Sequence, residues 1–235
     1  QDLWSMFVPK WYWFAISLFI ALTIAVLYLL STPPIYTRTA AILVKDNSKS
    51  SSSTGTMSDF SDLGIFKSNT NINNELLTLK SPTLMTEVVN RLGLNETFTV
   101  RKGLKNVDLY KVSPVTITFC DQVEVPLSFN IKFLSREAFA ISELEIPGED
   151  TGETLSAQMG DSIQTSAGTM IVSPTPEFTD AFIGTSVRYV RGSVRAAADT
   201  YANALVAELG NEDATIINLS INDVSIRKAE DILNT

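Results

Sequence analysis

Histidine is absent from all 235 residues, and that removes most of the chemistry a chain can carry at neutral pH. No Ser-His-Asp or Cys-His arrangement, H-E-x-x-H zinc site or His₂-carboxylate iron site can be assembled from it. The single cysteine, Cys120, excludes an intrachain disulfide and any C-x-x-C metal or redox pair. It ends the strand-like VTITFC and reads there as a small apolar residue. No G-x-x-x-x-G-K-[ST] run is present to cradle a nucleotide phosphate. The acidic cluster Glu143, Glu145, Glu149, Asp150 and Glu153 lacks the alternating oxygen ligands and central glycine of an EF-hand loop, so it reads as a solvated turn. A net charge of −8 and a pI near 4.6 argue against a nucleic-acid partner or a basic membrane-hugging surface. The expectation is a chain with no catalytic residue, cofactor or metal, which acts by holding geometry.

The elements that would hold that geometry begin with WYWFAISLFIALTIAVLYLLSTPPIY, Trp11 to Tyr36, which contains no charged residue. As a helix, Trp11 to Leu30 reaches roughly 30 Å, the thickness of a bilayer's hydrocarbon. Leu, Ile, Phe and Val fill 11 of these positions, Phe14, Leu18, Leu22, Leu27 and Leu30 among them. Together they favour insertion by roughly 3 to 7 kcal/mol. Trp11 and Trp13 at one end and Tyr28 at the other sit where aromatic belts form. Pro33 and Pro34 cannot continue the helix. The run is longer than a signal peptide's apolar region and no A-x-A site follows it. It also lacks the polar stripe of a core helix. A transmembrane helix over 11–31, behind a stub of residues 1–10, is the reading. Lys10 precedes the run while Arg38, Lys45 and Lys49 follow it, so the charge count leaves sidedness open.

Further along, YTRTAAILVK is strand-like, and DNSKSSSSTGTMSDFSD holds too little apolar surface to order itself. Asn71 to Leu94 restores a pattern. Ile72, Leu76, Leu77 and Leu79 suggest a short helix ending near Lys80. Ser81 is then a good N-cap, Pro82 a first helical residue and Gly93 a left-handed stop. Leu84, Met85, Val88, Val89 and Leu92 form one apolar face between them. From Phe98 to Ser173 short β-branched or aromatic strands follow one another, separated by turns such as PGEDTGE and SAGT. Last come the strand-like TSVRYVR, an Ala-rich helix from about Val194 to Ala204, and the apolar strand ATIINLSIND. Asp223 is placed to cap a helix in which Ile226, Ala229, Ile232 and Leu233 share one face. The fold class expected is α+β. It has the N-terminal transmembrane helix, a discontinuous α/β domain of residues 32–97 and 178–235, and a small antiparallel β module inserted at 98–177.

The order of these parts resembles a known family. An anchor followed at once by PPIYTRTAAILV with Pro33, Pro34 and Tyr36 comes first. Next is NINNELLTLKSPTLMTEVVNRLGL with Asn74, Glu75, Leu79, Ser81, Leu84, Val88 and Leu92. ATIINLSINDVSIRKAEDILNT with Ala229, Ile232 and Leu233 comes last. This is similar to the chain-length-determinant (Wzz-type) domain of polysaccharide co-polymerases, found also in the membrane half of the bacterial tyrosine autokinases of capsule and exopolysaccharide synthesis.

The resemblance implies a bacterial inner-membrane protein with a cytoplasmic N-terminal stub and a periplasmic α/β domain. It implies a homo-oligomer that sets chain length for a partner polymerase or export system. The family's second transmembrane helix, its proline-rich stretch and the autokinases' P-loop domain are not in this sequence. Together with a start at Gln1 and an end inside a helical pattern, this suggests a fragment. Three readings follow. One is a co-polymerase scaffold, and the second is the membrane half of an autokinase. The third is a glycan-binding module whose β insert contacts nascent polysaccharide, although Phe129, Phe133 and Phe139 lie in strands, more often core than platform.

Overall fold

The computed structural model describes residues 11–44, 72, 74–120, 125–147, 149–151, 154–165, 168–210 and 216–235. The serine-rich run lies outside them. The described chain falls into two compact units, one of residues 11–34 with 101–107, the other of residues 35–100 with 108–235.

The first unit holds helix α1, Trp11–Ser31, the one described helix long and apolar enough to cross a membrane. None of it is buried, and its apolar side chains point outward on every side. Ser17 and Thr23 donate their hydroxyls to the carbonyls of Phe14 and Phe19, at 3.0 and 2.8 Å, so neither leaves an unmet polar group on the surface. The helix stops just before Pro33-Pro34, as the proline geometry requires.

Two hydrophobic cores organise the second unit. The larger is all β. Strands β2 Glu96–Lys102, β3 Lys105–Asp108, β5 Leu127–Phe133, β6 Ala138–Ile146, β7 Glu149–Thr151, β8 Leu155–Gln158 and β11 Ser186–Arg191 form a seven-stranded sheet in the order β3-β2-β11-β5-β6-β7, with β8 also paired to β6. Its residues 101–107 count with the first unit. A three-stranded sheet orders β4 Val115–Phe119, β10 Gly168–Pro174 and β9 Ser162–Thr165 as β4-β10-β9. Every pairing recorded between these strands is antiparallel. Residues alternate along each strand, so Phe129, Ile131 and Phe133 from one sheet meet Val115, Ile117, Met170 and Val172 from the other in a common core. Tyr189 lies within 5.0 Å of the Phe98 and Phe129 ring centroids.

One expectation is corrected here. The sequence groups Ser186–Arg191 with the α/β elements, but the strand pairs with β2 on one side and β5 on the other. The inward Val187 and Tyr189 are fully buried in the β core, which explains the placement. A second correction concerns the acidic cluster. Glu143 and Glu145 belong to strand β6, at a bulge where two residues oppose one on β5. There Asn130 donates to Glu143 at 2.6 Å, and Ser128 donates to Glu145 at 2.6 Å.

The smaller core is α/β. Strand β13 (Ile216–Asp223) sits between β1 (Tyr36–Leu43) and β12 (Val206–Leu209), antiparallel to both. Its residues Ile217, Leu219 and Ile221 are buried, and its alternate residues Ile216 and Asn218 are exposed. Helices α2 (Pro82–Leu92), α3 (Val194–Ala204) and α4 (Ile226–Asn234) contribute Met85, Val88, Val89, Ala198, Ala229 and Ile232 to that core. α2 begins as its residues dictate: Ser81 accepts from the Thr83 N–H at 3.3 Å, Pro82 follows, and Gly93 closes it at φ 65°. α4 is capped differently from expectation. Its N-cap is Ser225, which accepts from the Lys228 N–H, while Asp223 accepts from the Ser225 N–H at 2.7 Å one turn earlier. The carboxylate makes the turn that leads in, and the hydroxyl two residues on makes the cap.

Candidate functional site

Part of the motif gathers at one place in the fold. Leu79 precedes α2, Leu84 and Val88 lie on α2, and Ile232 and Leu233 lie on α4. These five side chains, far apart in sequence, line one cavity of about 350 Å³. Met85, Leu205, Leu219 and Ile42 from β1 add to its apolar lining, together with Asn234 and Thr235. Val88 and Ile232 are 7% and 6% exposed, whereas Leu84 remains 40% exposed, so the cavity opens on that side. Ala229 is fully buried below it, where α4 rests on the sheet. Leu92 packs on the edge of the same core.

The other motif residues are not part of this cavity. Asn74 and Glu75 are exposed on the helical stretch 74–79, where the Asn74 carbonyl accepts from the Thr78 hydroxyl. Ser81 works as the cap of α2. Tyr36 opens β1 opposite Asp223. Pro33 and Pro34 are exposed after α1. The anchor residues Trp11, Trp13, Phe14, Leu18, Leu22, Leu27, Tyr28 and Leu30 are between 50% and 69% exposed.

Sequence reasoning missed a polar lock beside this face. Lys228 on α4 and Asp108 at the end of β3 form an ion pair, each with 8% of its side chain exposed. The Asp108 carboxylate also accepts from the Tyr110 N–H at 3.0 Å, and Lys111 reaches Asp231 at 2.6 Å. The segment after β3 is thus tied to the helix that carries Ala229, Ile232 and Leu233. Burial alone works to lower the Lys228 pKa, but the Tyr201 phenol and the Asp108 carboxylate prevail and raise it. The available signal was Lys228 itself, a charge beside Ala229 and one turn before Ile232 on an otherwise apolar face.

A half-buried carboxylate, Glu96, opens β2 beside the β core. Burial raises the Glu96 carboxyl, against the opposing pull of Arg191 and Tyr189. Arg191 stacks over Phe119, 4.4 Å from the ring centroid. Phe129, Phe133 and Phe139 are fully buried and offer no stacking platform. Cys120 is exposed just past the end of β4 instead of packed: Val115 and Ile117 point inward and Thr116 and Thr118 outward, so alternation carries Cys120 to the outer side, its backbone N–H still donating to the Thr169 carbonyl. Among the described residues no cluster of three or more acidic, cysteine or histidine side chains is placed to hold a metal.

The family model described as Wzz, chain length determinant protein, matches residues 1–92. The match takes in α1, β1 and α2, with the motif residues from Pro33 to Leu92, and ends before the β core and before Ala229, Ile232 and Leu233. Over that stretch the resemblance to the chain-length-determinant domain is shown, and it supports a chain-length-determinant role in polysaccharide synthesis. No curated protein matches the chain.

Proposed function

We propose that this chain is a membrane-anchored scaffold subunit of a polysaccharide co-polymerase. In this reading α1 crosses the inner membrane, residues 1–10 are cytoplasmic, and everything after Pro34 is periplasmic. The segments 32–97 and 178–235 make one discontinuous α/β domain, with strand Ser186–Arg191 lent to the sheet of the β insert. Copies associate through the α/β domain and set the length of polymer released by a partner polymerase or export system. The nascent polysaccharide is a further contact.

One observation carries this reading. The matched residues 1–92 supply both the membrane-length helix and the α2 side chains that line the apolar cavity, and the C-terminal motif residues Ile232 and Leu233 line it as well. An apolar cavity formed by two helices suits packing against another protein surface, and no polar catalytic group converges on it. The mechanism is geometric: it requires that copies hold a fixed arrangement, with no bond made or broken by this chain. The test is the length distribution of surface polysaccharide on a gel, with the parent gene deleted and then restored. Loss of a defined modal length, recovered on complementation, is the expected result. An unchanged distribution would overturn the reading.

A further inference from the structure

The turn that joins β2 to β3 differs in charge from the rest of this acidic chain. Arg101, Lys102 and Lys105 fall within seven residues that hold no acidic side chain, in a sequence whose net charge is −8. Gly103 takes φ 66° and closes the turn, and the Arg101 Nε donates to the Gly103 carbonyl at 3.4 Å, folding that guanidinium over the bend. Leu104 follows at the tip with 51% of its surface exposed, and Val107 has 40%. Neither belongs to either hydrophobic core. Among the described residues, no carboxylate pairs with the three cations. Residues 101–107 belong to the same compact unit as the membrane-length helix.

We propose that this turn is a headgroup-binding loop. Arg101, Lys102 and Lys105 engage the phosphates of anionic phospholipids in the bilayer that α1 crosses, and Leu104 enters the interface between headgroup and acyl chain. The proposal rests on the reading of α1 as an anchor. Arginine presents a fork of donors that matches phosphate oxygens in pairs, and lysine adds a mobile point charge. Each basic side chain near an anionic surface is worth about fivefold in affinity. An apolar residue at the tip distinguishes a lipid surface from a soluble polyanion such as an acidic glycan, which would use the cations and gain nothing from Leu104.

The experiment uses the full chain with Cys120→Ser and Asn106→Cys, labelled at 106 with an environment-sensitive fluorophore. The protein is reconstituted into phosphatidylcholine vesicles with or without phosphatidylglycerol. The expected result is a blue-shifted emission, quenched by headgroup-level nitroxide lipids, only where phosphatidylglycerol is present. Arg101→Glu with Lys102→Glu and Lys105→Glu should lower the docked-to-free ratio more than about tenfold, and molar salt should do the same. Leu104→Ser should weaken docking with the charges intact. Emission that reports water in both lipids, with the chain still resistant to alkaline carbonate, overturns the loop and leaves the anchor standing. Equal burial in both lipids overturns the role of charge. Docking unaffected by Leu104→Ser, but competed by a soluble acidic polysaccharide, assigns the turn to a glycan and overturns the lipid partner. Release of the chain by carbonate overturns the anchor and the loop with it.

Discussion

Lys228 and Asp108 are the residues whose removal should be felt most, because each is buried against the other. Asp108→Ala leaves an ammonium in a nearly dry site, and loss of about 3 kcal/mol or more is expected. Asp108→Leu combined with Lys228→Met should recover most of that loss, since the stranded charge goes too. Urea midpoints at unchanged slope separate these outcomes; a single variant as stable as the parent would refute the lock. The same residue fixes a pH dependence. The folded Lys228 pKa is raised, so its contribution is whole below the unfolded lysine value, about 10.4, and is lost as pH climbs through the folded one. The phenols of Tyr110, Tyr189 and Tyr201 are raised as well, chiefly by burial, and their unfolded counterparts ionise near pH 10. All four act in one direction: stability should hold through neutrality and fall above about pH 10. A urea series read at stepped alkaline pH checks this, and Tyr189→Phe should blunt the fall.

At the scale of elements, the anchor invites an arithmetic test. Its apolar side chains favour insertion by roughly 3 to 7 kcal/mol, and a lysine at the centre of a span opposes it by roughly 2.5 to 3.5. Leu22→Lys should therefore leave part of the chain in the carbonate-resistant fraction, and Leu22→Lys with Val26→Lys should release nearly all of it. The stop and start signals of α2 invite a smaller one: Ser81→Ala should lower stability by about 1 kcal/mol in a thermal melt. Such elements were legible because local rules decide them. Ser81, Pro82 and Gly93 bound α2, and Val194–Ala204 came out as expected because alanine favours helix whatever packs on it. Ser186–Arg191 was legible as a strand but not as a member of its sheet, since pairing partners depend on contacts tens of residues away. The cap of α4 was misplaced by two residues because Asp223 and Ser225 are both good capping types, and only the turn geometry chooses between them. The convergence of Leu79, Leu84, Val88, Ile232 and Leu233 on one cavity follows from packing that no spacing along the chain encodes.

For the whole molecule, the proposed association of copies must work against charge. Each chain carries −8, so like copies repel, and the attraction has to come from apolar surface such as the cavity rimmed by Leu84. Salt screens exposed charges beyond a Debye length of about 8 Å at physiological ionic strength and leaves apolar burial in place. Assembly of the detergent-extracted chain should therefore strengthen as salt rises, whereas a polar contact between copies would weaken. Leu84→Asp places a charge on the cavity's open side, where 40% exposure lets the carboxylate reach water in the isolated chain. Its thermal midpoint should stay near the parent's, while its mass by light scattering should fall toward that of one protomer. The modal length of the polysaccharide should disperse in parallel, because geometry held between copies is the only means by which this mechanism acts. A variant that remains assembled with the cavity charged would move the contact to another face. One that disassembles yet keeps a sharp modal length would separate chain-length control from association, and the scaffold mechanism would fall.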